Sequence, residues 1–354
     1  MSPTTTLASQ DLASKDLKVV RGGWPSLAGG GVLAAIVVFL AAAPWFVFSP
    51  GDVTNLVTLF ALIILGTAWN LMAGYGGLVS IGQQAYIGAG GYGVIKLADV
   101  VGLPIPVAVV AAGVVCAALA IPTSFLLFRL VGGYFAIGTW VVAEVFKLVT
   151  QELPGFGGGS GLSLTAFQGV DRVTRIATVY YLALALAVLV VLATYVLMRS
   201  RVGLGLTAIR DDSVAAAALG VAVRRSQRLV YVAASGGAGL AGALIAVNGL
   251  RVSPDSMFSV QYTAFMIFIV VIGGLGTIEG PILGAVIFFA LQQLLDSYGT
   301  WYLVALGAVA IAVVLLAPRG LWGLAARGRY EVFPVGHTVY PQGSPQGAQS
   351  VDFD

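Results

Sequence analysis

Long apolar runs, separated by short polar or glycine-rich segments, dominate the pattern of this chain. They fill the gaps between ionisable residues, such as Arg21 to Asp52 and Asp99 to Arg129. A helix needs about 20 apolar residues to cross a bilayer, and strands would show shorter, alternating segments. The runs therefore predict membrane-spanning helices. Dividing them at Gly, Pro and charged residues gives ten predicted spans, at residues 28–48, 53–73, 80–98, 104–128, 132–150, 178–198, 229–249, 258–273, 280–296 and 301–317.

The composition supports the same fold class. A mean hydropathy of +0.96, with 58% hydrophobic and only 9% charged residues, is outside the range of soluble domains and indicates an all-α integral membrane protein. The only histidine, His337, is in a polar tail, and the only cysteine, Cys116, is inside an apolar run. We therefore predict no metal site and no cofactor. Motifs for ATP binding, metalloprotease or serine-hydrolase chemistry are absent, so we predict that the chain is not an enzyme.

The distribution of charge predicts the topology. With a cytoplasmic N-terminus and an even number of spans, 13 of the 18 basic residues fall on the cytoplasmic side, as the positive-inside rule requires. The net charge of +3 thus follows from topology, and no basic surface suggests nucleic-acid binding. We predict a polar N-terminal tail at 1–26, a transmembrane domain at 27–325 and a flexible C-terminal tail at 326–354, with both tails cytoplasmic.

A glycine-rich stretch at residues 74–93 contains G-x-G-x-x-G, but it has neither the strand nor the acidic residue of a dinucleotide site. Small residues recur every four positions and predict close helix packing: Ala85, Ala89 and Gly93. Four polar residues accompany them: Ser80, Gln83, Gln84 and Tyr86. Polar groups at this depth either bind neighbouring helices or line a substrate pathway, and the sequence leaves both open.

A second small-residue pattern occupies residues 273–288, where Gly276, Gly280 and Gly284 form G-x-x-x-G-x-x-x-G. Pro281 suits the first turn of a helix, and Glu279 at its start matches the helix dipole. We expect a tightly packed re-entrant or broken helix here.

Glu144 is the acidic residue placed most deeply in the apolar sequence, and Lys147 follows on the same helical face. One interpretation is an ion pair between the two. The other is a role for Glu144 in proton coupling or in binding a substrate ammonium group.

The segment at residues 199–228 is predicted to be a cytoplasmic loop that contains a short helix, Val214 to Leu219. Asp212 or Ser213 is placed to cap this helix, and Gly220 is placed to end it. The loop is either a docking element or a basic loop on anionic lipid.

Five ordered blocks between about residues 50 and 323 resemble the branched-chain amino acid permeases of ATP-binding cassette importers. They are GYGGLVSIGQQAYIGAGGYG, YFAIGTWVVAEVFKLV with GGGSGLSL, RSRVGLGLTAIRDDSVAAAALGV, VSPDSMFSVQYTAFMIFIVVIGGLGTIEGPILGA and LLAPRGLWG. The resemblance implies a type II importer-like helical fold in the inner membrane. It also implies a second related permease, two cytoplasmic ATP-binding subunits and a periplasmic substrate-binding protein, with ATP bound by the partners.

By matching position, the coupling segment would be Ala208 to Gly220, with coupling residues Arg210, Asp211, Asp212, Ala217 and Gly220. Ser80, Gln83, Gln84, Tyr86, Tyr134 and Glu144 are the expected pathway residues. Many relatives carry histidine where this chain has Gln83, and urea and short-amide permeases share these blocks. The substrate therefore remains open, and an ion-coupled secondary transporter that uses Glu144 is the rival class.

Overall fold

The structure is a computed structural model of the chain and describes residues 17–20, 24–45, 49–295, 301–317, 320–326, 333 and 338–341. Two compact units form, Met1–Val37 with Gly328–Asp354, and Val38–Arg327. In the first unit, Leu17–Val20 and Thr338–Pro341 form an antiparallel pair of strands. Most of the predicted tails lies outside the described residues, as do His337, Arg319, Arg327 and Arg329.

The rest of the described chain is mainly helical. The helices are α1 (Trp24–Ala42), α2 (Pro50–Asn70), α3 (Gln84–Ile95), α4 (Ile105–Leu127), α5 (Gly133–Glu152), α6 (Arg172–Met198), α7 (Arg201–Asp211), α8 (Ser213–Ala218), α9 (Val223–Gly249), α10 (Pro254–Met257), α11 (Gln261–Gly273), α12 (Glu279–Leu295), α13 (Trp301–Leu316) and α14 (Gly320–Ala326). Short 3-10 turns cover Ala43–Trp45 and Gly158–Ser160, and the short strands Leu162–Ser163 and Arg251–Val252 pair with each other.

Within the described residues, six helical segments are long and apolar enough to cross a membrane: Pro50–Tyr75, Ile105–Leu127, Gly133–Glu152, Arg172–Met198, Val223–Gly249 and Pro254–Gly273. Shorter apolar helices cover Gly29–Ala42, Glu279–Leu295 and Val304–Val313. The all-α, multi-pass membrane fold is therefore confirmed. Ten complete spans stay a prediction.

The predicted span at 80–98 shows why hydropathy alone does not settle the count. The chain from Gly77 to Gln83 has no regular helix, and α3 begins only at Gln84. It is continued by a π-helical turn at Lys96–Val100. Irregular backbone at membrane depth is tolerated where protein surrounds it, and Ser80 and Gln83 are each only 1% exposed.

Helices α2 and α9 form the centre of the second unit. In their most apolar windows, 83% and 72% of the residues are buried, compared with 17% for α5. Helix α2 begins with a capping box in which the Ser49 hydroxyl accepts from Asp52 N and the Asp52 carboxylate accepts from Ser49 N. The exposed apolar faces of α4, α5 and α6 are suited to lipid or to another membrane subunit.

Glycines bring α3 against α9. A Cβ on Gly90 would overlap the carbonyl of Gly239, and a Cβ on Gly242 would overlap the carbonyl of Ile87. In the predicted stripe, Ala85 is fully buried, Ala89 is half-buried and Gly93 meets Ala112 at an ordinary 3.7 Å. The close approach of α3 to α9 thus occurs at Ile87 and Gly90 rather than at the predicted stripe positions.

The second small-residue pattern is divided between a turn and a helix. Gly280 and Gly284 lie on α12 against the backbone of Gly274 and Ile269, so α11 and α12 pack closely. Gly276 does not belong to the helix: it has a φ of 77° and lies in the turn before it. Glu279 is the first residue of α12, and the expected broken entrance is this turn.

Candidate pathway and coupling sites

The irregular segment before α3 brings its polar side chains into the protein interior. Trp69 Nε1 donates to Ser80 O at 3.0 Å, and the Ser80 hydroxyl accepts from Gly82 N at 3.2 Å. Gln83 Nε2 contacts Met72 Sδ at 3.5 Å. These bonds hold the segment against the end of α2, where a π-helical turn, Leu71–Tyr75, continues the helix.

Gln84 contacts a neighbouring helix. Its Oε1 accepts a 2.6 Å hydrogen bond from Thr263 Oγ1 on α11. Its Nε2, and the Oε1 of Gln83, are buried without a hydrogen-bond partner among the described residues. Two adjacent carboxamides, each with one unused polar atom, are uncommon in a protein interior and can rearrange between partners.

Tyr86 lies in a hydroxyl network at the core. Its OH lies 2.7 Å from Thr123 Oγ1 on α4 and 2.8 Å from Tyr231 OH on α9. The Phe146 ring of α5 packs edge-on against Tyr86, at 5.9 Å between centroids. Tyr86 therefore joins four helices, α3, α4, α5 and α9.

Tyr134 and Glu144 are not brought together with these residues. The Tyr134 side chain is 75% exposed at the start of α5, and Glu144 is half-buried further along that helix. Lys147 Nζ lies 2.7 Å from Asp255 Oδ1, so the ion-pair partner of Lys147 is Asp255 rather than Glu144.

The predicted coupling loop folds into α7 and α8. Asp212 is the N-cap of α8, and its carboxylate accepts from Val214 N at 2.8 Å and Ala215 N at 3.0 Å. These bonds from Ala215 and Val214 hold the pKa of Asp212 below its ordinary value of 3.8. Gly220, with a φ of 87°, follows the end of the helix. The short helix, its cap and its glycine terminus were all predicted from sequence.

Exposed apolar side chains lie at the start of helix α8 and directly after its end. The side chain of Val214 is 78% exposed and that of Leu219, which follows the helix, is 82% exposed, whereas Ala216 is 2% exposed. Ala217 and Gly220 are also exposed. The helix thus exposes an apolar side chain near each of its ends, where another protein can contact them.

The end of α7 contacts two turns of the membrane domain. Arg210 lies close to Gly276 and to Gly77, and its Nε bonds the exposed Asp211 carboxylate at 3.2 Å. Gln227 Nε2 donates to Gly76 O at 3.4 Å. The predicted coupling loop therefore contacts the glycine-rich stretch that contains the predicted pathway residues.

Asn70 joins the end of α2 to the turn at Gly276, a role that was missed in the sequence analysis. Its Nδ2 donates to Thr277 O at 2.7 Å, and its Oδ1 accepts from Gly276 N at 2.8 Å. An asparagine at the end of a long apolar run was the one available hint, since a buried carboxamide needs several partners.

No three His, Cys, Asp or Glu side chains within the described ranges come close enough to hold a metal ion.

Comparison with known proteins yields one family. The profile described as "Branched-chain amino acid transport system / permease component" matches residues 53–317. The high-affinity branched-chain amino acid transport system permease protein LivM of Escherichia coli (strain K12) is 29% identical over 341 residues, which cover 87% of this chain and 80% of LivM. LivM of Salmonella typhimurium is 29% identical over 315 residues, covering 82% and 74%. No solved structure matches the chain.

Proposed function

Because this chain belongs to the branched-chain amino acid transport system permease family, we propose that it is one membrane subunit of an ATP-binding cassette importer for these amino acids. The names of the two LivM relatives support this substrate class. In this proposal ATP is hydrolysed on partner subunits, and the chain itself holds no cofactor.

The capped helix α8 is the observation that carries the proposal. An exposed apolar helix on a charged loop between membrane helices suits a groove on a partner subunit. We assign that partner as a cytoplasmic ATP-binding subunit. The assembly is completed by a second ATP-binding subunit, a second related permease and a periplasmic binding protein.

Contacts between the loop and the membrane domain support a route for the mechanical signal. Movement of α8 displaces Arg210 at the end of α7, which lies against the turns at Gly77 and Gly276. Asn70 links the turn at Gly276 to the end of α2. Closure of the ATP-binding subunits would then shift α2 and α12 and open the pathway outward, by alternating access.

The orientation follows from the charges. We place the protein in the bacterial inner membrane with both termini in the cytoplasm, since the arginine-rich segment 199–228 then lies inside. In this orientation α8 faces the ATP-binding subunits, and the loop between α5 and α6 faces the binding protein.

Uptake by purified protein in proteoliposomes tests the proposal. Enclosed ATP should drive leucine accumulation only when both permeases, both ATP-binding subunits and the binding protein are present. Uptake by this chain alone under a proton or sodium gradient would instead establish an ion-coupled transporter, with Glu144 as the first residue to replace. ATP-driven uptake of urea or short amides, without leucine uptake, would establish an ATP-binding cassette importer with a different substrate.

A further inference from the structure

Five basic residues lie on the side of the chain that the positive-inside rule assigns to the outer face, where cations are disfavoured. They are Lys96, Lys147, Arg172, Arg175 and Arg251. Three have partners within the fold: Lys96 with the carbonyl of Gly155, Lys147 with Asp255, and Arg251 with the carbonyl of Ser160. Arg172 and Arg175 thus stand apart: within the described chain, neither has an acidic group within 4.0 Å.

Arg172 and Arg175 line the same cavity. It has a volume of about 180 Å³ and lies between the start of α6, the start of α2 and the end of α9. Thr54 and Asn248 supply further polar groups to its wall. None of the described residues that line it is acidic, so no carboxylate in the wall neutralises the two arginines.

Arg172 is exposed and Arg175 is half-buried, and both lie on the face of α6 that borders the cavity. Arg172, Arg175 and Val179 recur at helical spacing on one face, and Val179 is 4% exposed. Val57 and Val247, at 2% and 1% exposed, also line the cavity. The arginines therefore lie at the rim of the cavity, above a buried apolar floor.

A second cavity adjoins the first. It has a volume of about 280 Å³ and shares Val57 and Asn248 with it. Its wall is largely apolar, with Leu62 and Phe265 among the lining residues. Each volume is below the roughly 300 Å³ at which sites for drug-sized ligands begin, so the pair suits a smaller ligand.

We propose that the two cavities receive an apolar amino acid on the outer side of the membrane domain. Arg172 and Arg175 bind the carboxylate, and the apolar side chain enters the second cavity past Val57 and Asn248. This inference rests on the proposed function and assigns a site for its substrate.

The two cavities match two parts of such a ligand, its carboxylate and its apolar side chain. Guanidinium groups bind carboxylates through paired, charge-assisted hydrogen bonds, which are about twice as strong as neutral ones. The N-terminal end of α6 adds a positive dipole, although the Asp171 carboxylate already caps Val173 N and Thr174 N. Burial of an aliphatic side chain against Leu62 and Phe265 supplies the hydrophobic part of the binding free energy.

A ligand series tests the inference on the assembled transporter in detergent, with the shift of its unfolding temperature as the readout. Isocaproate is leucine without the ammonium group, and isoamylamine is leucine without the carboxylate. We expect leucine and isocaproate to stabilise the wild-type protein and isoamylamine to have no effect. Equal stabilisation by isoamylamine would overturn the carboxylate assignment without any variant. So would a response to inorganic phosphate in the absence of a response to leucine, since it would indicate a headgroup-type anion site.

Variants test the residues. In the double variant Arg172→Gln, Arg175→Gln, the leucine concentration at half-maximal shift should rise by ~10-fold or more. Arg175→Lys keeps the charge but loses the paired hydrogen-bond geometry. Its half-maximal leucine concentration should therefore lie between those of the wild type and the double variant. Arg251→Gln, which removes an outer arginine with a partner in the fold, should leave leucine binding unchanged. Wild-type leucine binding by the double variant would overturn the inference.

ATP-driven uptake on the same preparations separates the two proposals. If the wild type accumulates leucine and the double variant matches it, the carboxylate site fails while the importer assignment stands. If the double variant loses only its affinity for the binding protein, with the maximal uptake rate unchanged, the arginines dock that protein and the inference is wrong. If the wild type accumulates no amino acid, the proposed function fails, and the site falls with it.

Discussion

The carboxamide of Asn70 binds the turn at Gly276 through both of its polar ends, accepting from Gly276 N at 2.8 Å and donating to Thr277 O at 2.7 Å. Asn70 ends α2, and the turn leads into α12. One side chain thus connects the end of α2 to the turn before α12. Arg210 of the predicted coupling loop lies close to the same turn.

Replacing Asn70 by leucine should lower the free energy of unfolding by about 1–3 kcal/mol, because it leaves the half-buried Gly276 N–H and Thr277 carbonyl without this partner. ATP hydrolysis in the assembled transporter should also become less dependent on substrate. Thr178→Ala is the control, since the Thr178 hydroxyl bonds only to Thr174 O within its own helix. Unfolding and ATPase measurements check both effects, and equal behaviour of the two variants would contradict the role of Asn70.

Gln84 and Thr263 should behave as a structural pair. A double-mutant cycle with Gln84→Leu and Thr263→Val should give a coupling energy of about 0.5–1.5 kcal/mol in unfolding. Uptake kinetics distinguish the alternative that the sequence left open. If Gln84 contacts substrate, Gln84→Leu should raise the KM for leucine while Thr263→Val leaves it unchanged; if both variants act alike, Gln84 acts through the helix contact.

Gly242 should tolerate no side chain. A Cβ there would overlap the carbonyl of Ile87, so Gly242→Ala must separate α9 from α3, and we expect a loss of about 1–3 kcal/mol in unfolding free energy. Gly307→Ala on α13 is the control, because a Cβ at Gly307 meets nothing within 4 Å. The control should be neutral or gain about 0.5–1 kcal/mol from helix propensity. A tolerated Gly242→Ala would contradict the close approach.

The capping bonds of Asp212 should depend on pH. Since the pKa of Asp212 is lowered in the folded chain, its stabilising effect is complete above the ordinary value of 3.8 and disappears as pH falls through the lowered value. Titration followed by ¹³C NMR of the carboxyl group, with the amide signals of Val214 and Ala215, should report one shared midpoint below 3.8. Asp212→Asn keeps a good cap and should remove this dependence, whereas Asp211→Asn should retain it. A midpoint at or above 3.8 would show that the cap is not formed.

Local features could be predicted from the sequence, and distant contacts could not. Asp212, the short helix and Gly220 lie within nine consecutive residues. The residues that begin and end this helix can therefore be recognised from the local sequence. The long apolar runs likewise determine the membrane class. By contrast, the pairing of Asn70 with Gly276 depends on how α2 and α12 pack, and no local pattern encodes it.

Lys147 shows the same limit. Helical spacing suggested Glu144, but the fold brings Asp255 within 2.7 Å of its ammonium group. Spacing along a helix identifies which side chains can meet, whereas tertiary packing decides which do. The same holds for the small-residue stripe. The small residues predicted close packing of α3, but which of them contacts α9 most closely depends on tertiary packing, and Gly90 is one such position.

We propose that α8 couples this permease to an ATP-binding subunit, and two matched glycine substitutions separate this role from a general loss of stability. Gly220 and Gly102 have φ values of 87° and 79°, and a Cβ at either meets nothing within 4 Å. Valine at either position therefore costs backbone strain, about 1–2 kcal/mol, without a clash. Only Gly220 ends α8; Gly102 precedes α4, on the predicted outer side.

ATP-driven leucine uptake by the assembled transporter is the measurement. We expect Gly220→Val to insert into the membrane normally but to lose uptake and to retain the ATP-binding subunit poorly, while Gly102→Val keeps both. Wild-type uptake by Gly220→Val, or equal loss in the two variants, would contradict this proposal.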